Sequence, residues 1–519
     1  MKSRVVLAYS GGLDTSWCIP RLMELGYPEI LTAHVDVGGL APGEHQELEA
    51  KSRALGAAGH IQIDARAQFF DEIVRFLIFG NVLRGDVYPL SVGAERSLQA
   101  REVARLAREL GAGAVAHGCT AAGNDQVRFE VALRTVAPEL RVLAPVRDEA
   151  PTREEETAYL EARGFPVPPK SSAYSINSGL WGVTIGGRET LTSHQGLPEE
   201  AWQRTRGALT GWRTPETHVL RFEAGVPVAW DGVSLDPVSL IETVDAAASV
   251  FGIGRGMHLG ETILGVKGRV AFEAPAAAVI LLAHRELEKL VCTGRQLDVK
   301  ETVSRTYGNL VHEGQFLEPV CRDIEALLKS SQARVSGDVF LEVRTGSPFV
   351  QGVESPWSLR SASRALYGEA AGEWTPEDAR GYSRLLATPG MLHARAGRCK
   401  TRETRCTRQN RFGDHELQAE PRSAARRGIP VPGRRRGGGA HSHGEVHLQH
   451  PRAVHGPLLA AQAERRGGRR ARPPARAGGI CGSPSEVAQG RRPHPDAEPG
   501  RLPGYLHLGQ PRPRQTVRV

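Results

Sequence analysis

A segment rich in glycine and hydroxyl groups follows the first apolar run of the chain, with the sequence Ala8-Tyr9-Ser10-Gly11-Gly12-Leu13-Asp14-Thr15-Ser16. Successive backbone N–H groups, adjacent glycines and several hydroxyls at the start of a helix are typical of a loop that holds phosphate. The glycines are adjacent and no lysine follows them, so this is not a Walker loop. A plain strand-to-helix turn would need neither the hydroxyls nor Asp14. The segment therefore predicts an anion site.

A second polar segment follows another predicted strand and runs His117-Gly118-Cys119-Thr120-Ala121-Ala122-Gly123-Asn124-Asp125-Gln126-Val127-Arg128-Phe129-Glu130. Its Gly-Asn pair favours a turn, and residues 124 and 128 lie one helical turn apart, on one face. An amide, a carboxylate and a guanidinium suit an amino-acid zwitterion, with the substrate carboxylate on Arg128 and the ammonium on Asp125. The alternative is a solvated helix start capped by Asn124.

Alternating strands and helices must position these two segments. Apolar strands are predicted at residues 5–9, 30–37, 60–64, 114–117 and 142–146, with helices such as 44–55 and 98–110 between them. This alternation predicts an α/β fold, with a doubly wound parallel sheet that binds nucleotide. Thr152 and Glu155 spell a capping box for a helix at 153–163, and the prolines that follow cannot continue it. We place the first domain at residues 1–168.

The next stretch, residues 169–365, predicts an α+β domain. Strand-like runs at 219–222, 278–282 and 339–343 mix with helical runs at 237–250, 285–290 and 319–330. Residues 366–390 contain one more amphipathic helix, 376–386, which is a candidate packing arm between subunits. No apolar run is long enough to span a membrane, and the N-terminus enters the first strand without a secretory signal, so a cytoplasmic location is expected.

Residues 391–519 differ from the rest in composition. They hold 25 Arg, 1 Lys and 9 acidic residues, a net charge of +17, whereas residues 1–390 carry −9. With 18 Gly, 14 Pro and no sustained periodicity, this tail is expected to be disordered. An RNA-binding arm and a metal-binding tract at His441, His443, His447 and His450 are alternatives, but the Arg to Lys ratio favours a frameshifted or read-through terminus.

The seven cysteines form no CxxC pair, so they predict reduced thiols rather than a disulfide framework or zinc ribbon. Their wide spacing also argues against a tRNA-thiolating enzyme, which usually needs a reactive pair of cysteines.

The Ser10–Ser16 segment resembles the pyrophosphate-loop signature of ATP pyrophosphatases, and the second segment is similar to that of the argininosuccinate synthase family. Further similarities occur at Ser175, Gly265-Val266-Lys267, Glu273-Ala274-Pro275 and Ala283-His284-Arg285, so the resemblance covers residues 4 to about 388. It implies an ATP-dependent ligation of citrulline and aspartate to argininosuccinate through a citrullyl-adenylate, with AMP and pyrophosphate released. It further implies MgATP as the substrate complex, no tightly bound cofactor and a homotetramer.

The resemblance also implies roles for individual residues. ATP would contact Ala8, Tyr9, Ser10, Gly11, Gly12, Leu13, Asp14, Thr15, Ser16, Val35 and Gly118. Aspartate would contact Thr120, Asn124 and Asp125. Citrulline would contact Tyr88, Asn124, Arg128, Ser175, Thr184, Glu261 and Phe272. Ser10, Asp14 and Asp125 are the candidate catalytic residues: Ser10 would stabilise departing pyrophosphate, Asp14 would organise the loop or metal, and Asp125 would hold the aspartate amine.

Several positions depart from the commoner family pattern. Gly93 stands where many members have serine, with Ser91 nearby as a substitute. Phe272 replaces a tyrosine, Val35 replaces an alanine on the adenine side, and Glu261 matches the family glutamate only across a one-residue gap. Two other readings remain open: a different pyrophosphate-loop ligase, such as a tRNA-thiolating or amide-forming enzyme, and an RNA-binding protein that acts through the basic tail.

Overall fold

Five strands of the N-terminal part form one parallel sheet in the computed structural model, which describes residues 4–167, 174–369 and 371–411. They are β1 (Arg4–Ala8), β2 (Glu29–Asp36), β3 (Gly59–Asp64), β4 (Ala114–His117) and β5 (Arg141–Leu143), in the spatial order β3-β2-β1-β4-β5. The chain leaves β1 towards β2 on one side and later returns to place β4 on the other. The predicted doubly wound sheet is confirmed, and its order reverses between β1 and β4, where such sheets bind ligands.

Helices cover both faces of this sheet. They are α1 (Leu13–Glu24), α2 (Glu44–Ala54), the short α3 (Arg66–Phe69), α4 (Arg75–Phe79), α5 (Arg96–Glu109), α6 (Asp125–Val136), α7 (Pro145–Glu149) and α8 (Arg153–Ala162), with a π-helical turn at Phe70–Val74. The predicted capping box starts α8: the Glu155 N–H donates to Thr152 Oγ1 at 3.2 Å, and the Thr152 N–H donates to Glu155 Oε2 at 2.7 Å.

The described residues of the second part form two antiparallel sheets. One has the order β11-β12-β7-β6, and the other has the order β10-β9-β8-β13-β14. The strands are β6 (Ser175–Gly179), β7 (Gly182–Gly186), β8 (Glu216–Glu223), β9 (Val226–Trp230), β10 (Val233–Ser234), β11 (Arg255–Glu261), β12 (Lys267–Glu273), β13 (Gly337–Arg344) and β14 (Ser347–Glu354). The helices are α9 (Pro237–Ser249), α10 (Pro275–Val291), α11 (Gly294–His312), α12 (Pro319–Ser331) and α13 (Leu359–Ala362), with 3₁₀ turns at Arg188–Leu191 and Glu199–Ala201. The α+β prediction is confirmed.

One predicted strand is wrong. Residues 278–282 are not a strand but belong to α10, which begins with Pro275 in its first turn and also contains the predicted helix 285–290. The run Ala278-Val279-Ile280-Leu281-Leu282 is apolar at every position because most of this helix is buried. A short, uniformly apolar run cannot be assigned to helix or strand by periodicity alone.

The last described helix, α14 (Pro376–Arg411), extends well beyond the predicted 376–386. The helix thus includes residues 391–411, the first part of the tail for which disorder is expected. This stretch contains one glycine, Gly397, and no proline, and it is rich in Arg, Ala and other good helix formers. The rest of the predicted tail, including the four histidines, and residues 168–173 at the predicted domain boundary lie outside the described residues. Within the described part, no helix has both the length and the apolarity needed to cross a bilayer.

Candidate active site

A cleft of about 1660 Å³ opens at the carboxyl ends of β1 and β4. The loops after these two strands form one wall, and β6, β11 and β12 together with the end of α11 contribute the other. The two polar segments singled out in the sequence therefore face the same cavity. This arrangement follows from the parallel sheet, because neighbouring parallel strands end at the same edge.

The glycine loop presents an anion-binding surface to the cleft. Gly11 adopts a φ of +74°, and Gly12 precedes α1 without a side-chain cap, so the first N–H groups of the helix face no capping side chain. Ser10 Oγ and Thr15 Oγ1 lie 3.3 Å apart. Ala8, Tyr9, Ser10, Gly12, Leu13, Asp14 and Thr15 line the cleft. Gly11 and Ser16 do not: a Cβ on Gly11 would point into the side chain of Leu48, and Ser16 is buried in α1.

The loop after β4 packs directly on the glycine loop. A Cβ at Gly118 would lie 2.9 Å from Thr15 Cγ2 and 3.1 Å from the Thr15 backbone nitrogen. Only glycine permits this approach, and Gly118 lines the cleft. Val35, near the end of β2, also lines it. The residues predicted to contact ATP therefore line the same part of the cleft, except Gly11 and Ser16.

A buried carboxyl lies behind the glycine loop. Glu156 on α8 is only 2% exposed. Its burial, and next the neighbouring carboxylate of Asp14, raise the pKa of Glu156 to about 8, so its protonated form is favoured near neutral pH.

Two arginines hold Asp125 at the start of α6. Arg96 Nε donates to Asp125 Oδ2 at 3.0 Å, and Arg128 Nη1 donates to Asp125 Oδ1 at 2.6 Å. Burial opposes the charge on Asp125, but the guanidiniums of Arg96 and Arg128 outweigh it and hold the pKa of this carboxyl well below its usual range. The Asp125 side chain keeps 30% of its surface exposed, so the charged carboxylate remains accessible from the cleft.

Asn124 and Thr120 lie beside this carboxylate on the cleft wall. Asn124 Oδ1 accepts the backbone N–H of Ile263 at 2.9 Å, which links α6 to the loop between β11 and β12. Thr120 is exposed, and its backbone oxygen accepts the N–H of Gly123 at 3.4 Å. The predicted aspartate-binding residues therefore form one patch.

The residues predicted for citrulline come from both walls of the cleft. Tyr88, Ser175, Thr184 and Glu261 line the cleft together with Asn124 and Arg128. The Tyr88 hydroxyl donates to the Val92 carbonyl at 2.8 Å and accepts the Val92 N–H at 3.2 Å.

Phe272 does not line the cleft. It is 4% exposed and packs behind Tyr88, with ring centroids 5.1 Å apart. Glu261 sits at the solvent edge, and its Oε1 accepts from Lys267 Nζ at 2.7 Å. Ser91, suggested as a substitute hydroxyl, is buried and lies outside the set of cleft-lining residues.

Sequence reasoning missed several cleft residues. Arg96 binds Asp125 and also donates through Nη2 to Asn177 Oδ1 at 3.2 Å. Arg96 begins a helix that also contains Arg101, Arg105 and Arg108. The neighbouring sequence therefore does not distinguish Arg96 from an arginine on the solvent-exposed face of that helix. His258 stacks on Tyr88 with centroids 5.7 Å apart, and His312 contacts Arg128. These histidines come from distant parts of the chain, and no short-range spacing could have brought them together.

The family models that match the chain divide it into the same two parts. The arginosuccinate synthase N-terminal HUP domain matches residues 4–166, and the arginosuccinate synthase C-terminal domain matches residues 174–392. An argininosuccinate synthase of Xanthomonas campestris pv. campestris is 38% identical over 407 residues, which cover 76% of this chain and 99% of that protein. One from Methanocaldococcus jannaschii is 39% identical over 370 residues (71% and 93%), and one from Lactiplantibacillus plantarum is 37% identical over 395 residues (75% and 94%). The chain belongs to the argininosuccinate synthase family.

Proposed function

We propose that this chain joins citrulline to aspartate at the expense of ATP, releasing argininosuccinate, AMP and pyrophosphate. The observation that carries the proposal is the shared cleft: the uncapped start of α1 and the Asn124-Asp125-Arg128 cluster open into the same cavity. A triphosphate and two amino acids can therefore meet there without either loop having to move across the sheet.

ATP is assigned to the β1 side of the cleft. The backbone N–H groups after Gly12, with the hydroxyls of Ser10 and Thr15, suit the negative phosphates, and the positive end of the α1 dipole adds to this attraction. The hydroxyl oxygens are also hard ligands of the kind that Mg²⁺ prefers, so the nucleotide would enter as MgATP. Gly118 and Val35 would border the nucleoside end.

Activation of citrulline is the first chemical step. Its ureido oxygen attacks the α-phosphorus of ATP, an O–P bond forms, and the bond to pyrophosphate breaks, which leaves a citrullyl-adenylate. Charge that develops on the departing pyrophosphate would be stabilised by Ser10 and the helix N-terminus. Asp14 faces the cleft on one side and neighbours the buried Glu156 on the other, which supports a role in fixing the loop.

Aspartate completes the reaction. Its amine attacks the activated carbon, a C–N bond forms, AMP leaves with the electron pair of the C–O bond, and one amine proton is lost. Asp125 is our candidate for holding the amine, because its carboxylate stays charged and partly exposed. Thr120 and Asn124 would bind the same substrate. Alignment of the amine with the adenylate is the main contribution expected of these residues.

Citrulline is assigned to the part of the cleft that Tyr88, Asn124, Arg128, Ser175 and Thr184 border. Arg128 offers a guanidinium for the substrate carboxylate, and Ser175 and Thr184 offer hydroxyls. Glu261 at the rim could close on the substrate ammonium, whereas Phe272 would act only by packing behind Tyr88.

A homotetramer is proposed for the assembly. Helix α14 exposes large apolar side chains in the single chain: Tyr382 is 67% exposed, Leu385 75% and Leu386 66%. An apolar helix face of this kind is typical of a subunit interface. The domains are proposed at residues 1–168 and 169–365, with residues 366–390 as the oligomerisation segment.

The assay is release of AMP and pyrophosphate from MgATP, with citrulline and aspartate added singly and together. Turnover that needs both amino acids supports the proposal. If turnover occurs with a citrulline analogue or another amide-like acceptor but not with citrulline, a different pyrophosphate-loop ligase is favoured.

A further inference from the structure

Arg128 on α6 is held in one orientation by the protein itself. Its side chain is 7% exposed although it borders the cleft. Nε donates to the His312 carbonyl at 2.8 Å, Nη2 lies 3.2 Å from His312 Nδ1, and Nη1 donates to Asp125 at 2.6 Å. Each of the three guanidinium nitrogens therefore has a fixed partner, and only the remaining Nη–H bonds are left to point towards substrate.

His312 supplies two of these partners because of its place in the fold. It is the last residue of α11, where backbone carbonyls lack helical N–H donors and the helix dipole favours a cation. An arginine can only donate, so Nδ1 of His312 must be the accepting nitrogen of a neutral ring. Burial, and next the charge of Arg128, lower the pKa of His312 to about 3, which keeps the ring neutral across the physiological range.

Two glycines let the guanidinium and its backbone fit. A Cβ at Gly93 would lie 2.7 Å from Arg128 Nη1 and 2.8 Å from Cζ, and Gly93 has a φ of +103°. A Cβ at Gly314, just past the end of α11, would lie 2.8 Å from the Arg128 Cα. The planar group of Arg128 therefore occupies the space that a side chain at position 93 would need.

We propose that His312 and Gly93 form a seat for Arg128 and are positioning residues that set the affinity for citrulline in this chain. Neither residue needs to touch the substrate. Arg128 and Gly93 belong to the first proposed domain, and His312 belongs to the second. The seat therefore fixes the Arg128 guanidinium of the first domain against the end of α11 in the second. This inference rests on the proposed role of Arg128 towards citrulline.

Substitutions at His312 test the acceptor nitrogen. His312→Leu removes Nδ1, and because hydrogen bonds to charged groups are strong, the KM for citrulline should rise roughly tenfold or more with the KM for ATP unchanged. His312→Asn places Oδ1 near the position of Nδ1 and should restore most of the affinity. His312→Gln reaches further and is the mismatched control, which should not rescue.

Substitution at Gly93 tests the steric half of the seat. Gly93→Ser adds a side chain where the Arg128 guanidinium lies, and it should raise the KM for citrulline by about tenfold, because the guanidinium must move. The matched control is Gly26→Ala, at a glycine with a φ of +89° and no atom within 4 Å of the added Cβ. It imposes comparable backbone strain far from the cleft and should leave every KM unchanged.

A spectroscopic measurement separates this inference from the proposed function. In ¹⁵N–¹H spectra, the Arg128 Nε–H should exchange slowly with water in the native chain and faster in His312→Leu, whether or not citrulline is the substrate. If the Arg128 Nε–H of the native chain exchanges slowly but turnover does not require citrulline, the proposed function is overturned and the seat for Arg128 is not. A His312→Leu protein that melts like the native chain, with the same Arg128 exchange rate and the same KM for citrulline, would overturn the seat.

Discussion

Replacing Asp125 with asparagine should weaken aspartate binding far more than ATP binding. Asparagine keeps the shape of the side chain but removes the charge that the proposed ammonium contact needs. A charge-assisted hydrogen bond contributes about 1.5–3 kcal/mol, so kcat/KM for aspartate should fall roughly 10- to 150-fold. The KM for ATP should change by no more than about threefold, because the phosphates are assigned to the β1 loop.

The same substitution should lower the stability of the fold. Removing one partner of a fully buried ion pair costs about 3–5 kcal/mol, whereas an exposed pair contributes about 0–1 kcal/mol. Asp125 is 30% exposed, while Arg96 and Arg128 are 14% and 7% exposed. We therefore expect a loss of about 2–3 kcal/mol in the free energy of unfolding. Because the folded-state pKa of Asp125 is depressed, its contribution is present above about pH 4 and is lost as the pH falls further.

Steady-state kinetics with each substrate varied, together with urea unfolding, would measure both effects. Asp148→Asn is the matched control, since Asp148 pairs with Arg147 at 2.9 Å but is 58% exposed and lies away from the cleft lining. Equal losses for aspartate and ATP in Asp125→Asn would refute the assignment of this carboxylate to the aspartate amine.

Three further predictions concern the nucleotide loop, the buried carboxyl and the last helix. Gly118→Ala should raise the KM for ATP at least about tenfold, because the methyl group would press on the backbone of the phosphate loop. The control is Gly113→Ala, whose methyl group meets no atom within 4 Å and should leave the KM for ATP unchanged. The same KM for ATP in both variants would contradict the packing argument. The pKa of Glu156 is raised in the folded state, so the free energy of unfolding should decrease as the pH rises from about 5 to 8. The decrease should be at most about 1.4 kcal/mol per pH unit. In urea titrations at several pH values, Glu156→Gln should flatten this dependence. Leu385→Asp combined with Leu386→Asp should convert a tetramer to smaller species in light scattering, and an unchanged mass would rule out α14 as an interface.

The first domain was largely predictable from sequence because its signals are local. Each strand is a short apolar run followed by a turn, and the capping box of Thr152 and Glu155 marks the start of α8 directly. The phosphate loop needs only neighbouring residues and a helix start, so its position could be assigned before its geometry was seen.

The parts that failed depend on packing between distant segments. The run at 278–282 could not be assigned as helix, because burial on most sides removes the periodicity of α10. Phe272 carried a predicted substrate contact, yet the fold places it behind Tyr88. Arg96 and His312 reach Asp125 and Arg128 from other elements, and only the sheet order and the docking of α11 bring them together.

The most direct test is the dependence of AMP and pyrophosphate formation on the two amino acids. With MgATP and the full chain, we predict negligible pyrophosphate with either citrulline or aspartate alone in the steady state, and stoichiometric argininosuccinate, AMP and pyrophosphate when both are present. Formation of AMP that does not require citrulline, or no turnover with both amino acids in a folded protein that binds ATP, would contradict the proposed reaction.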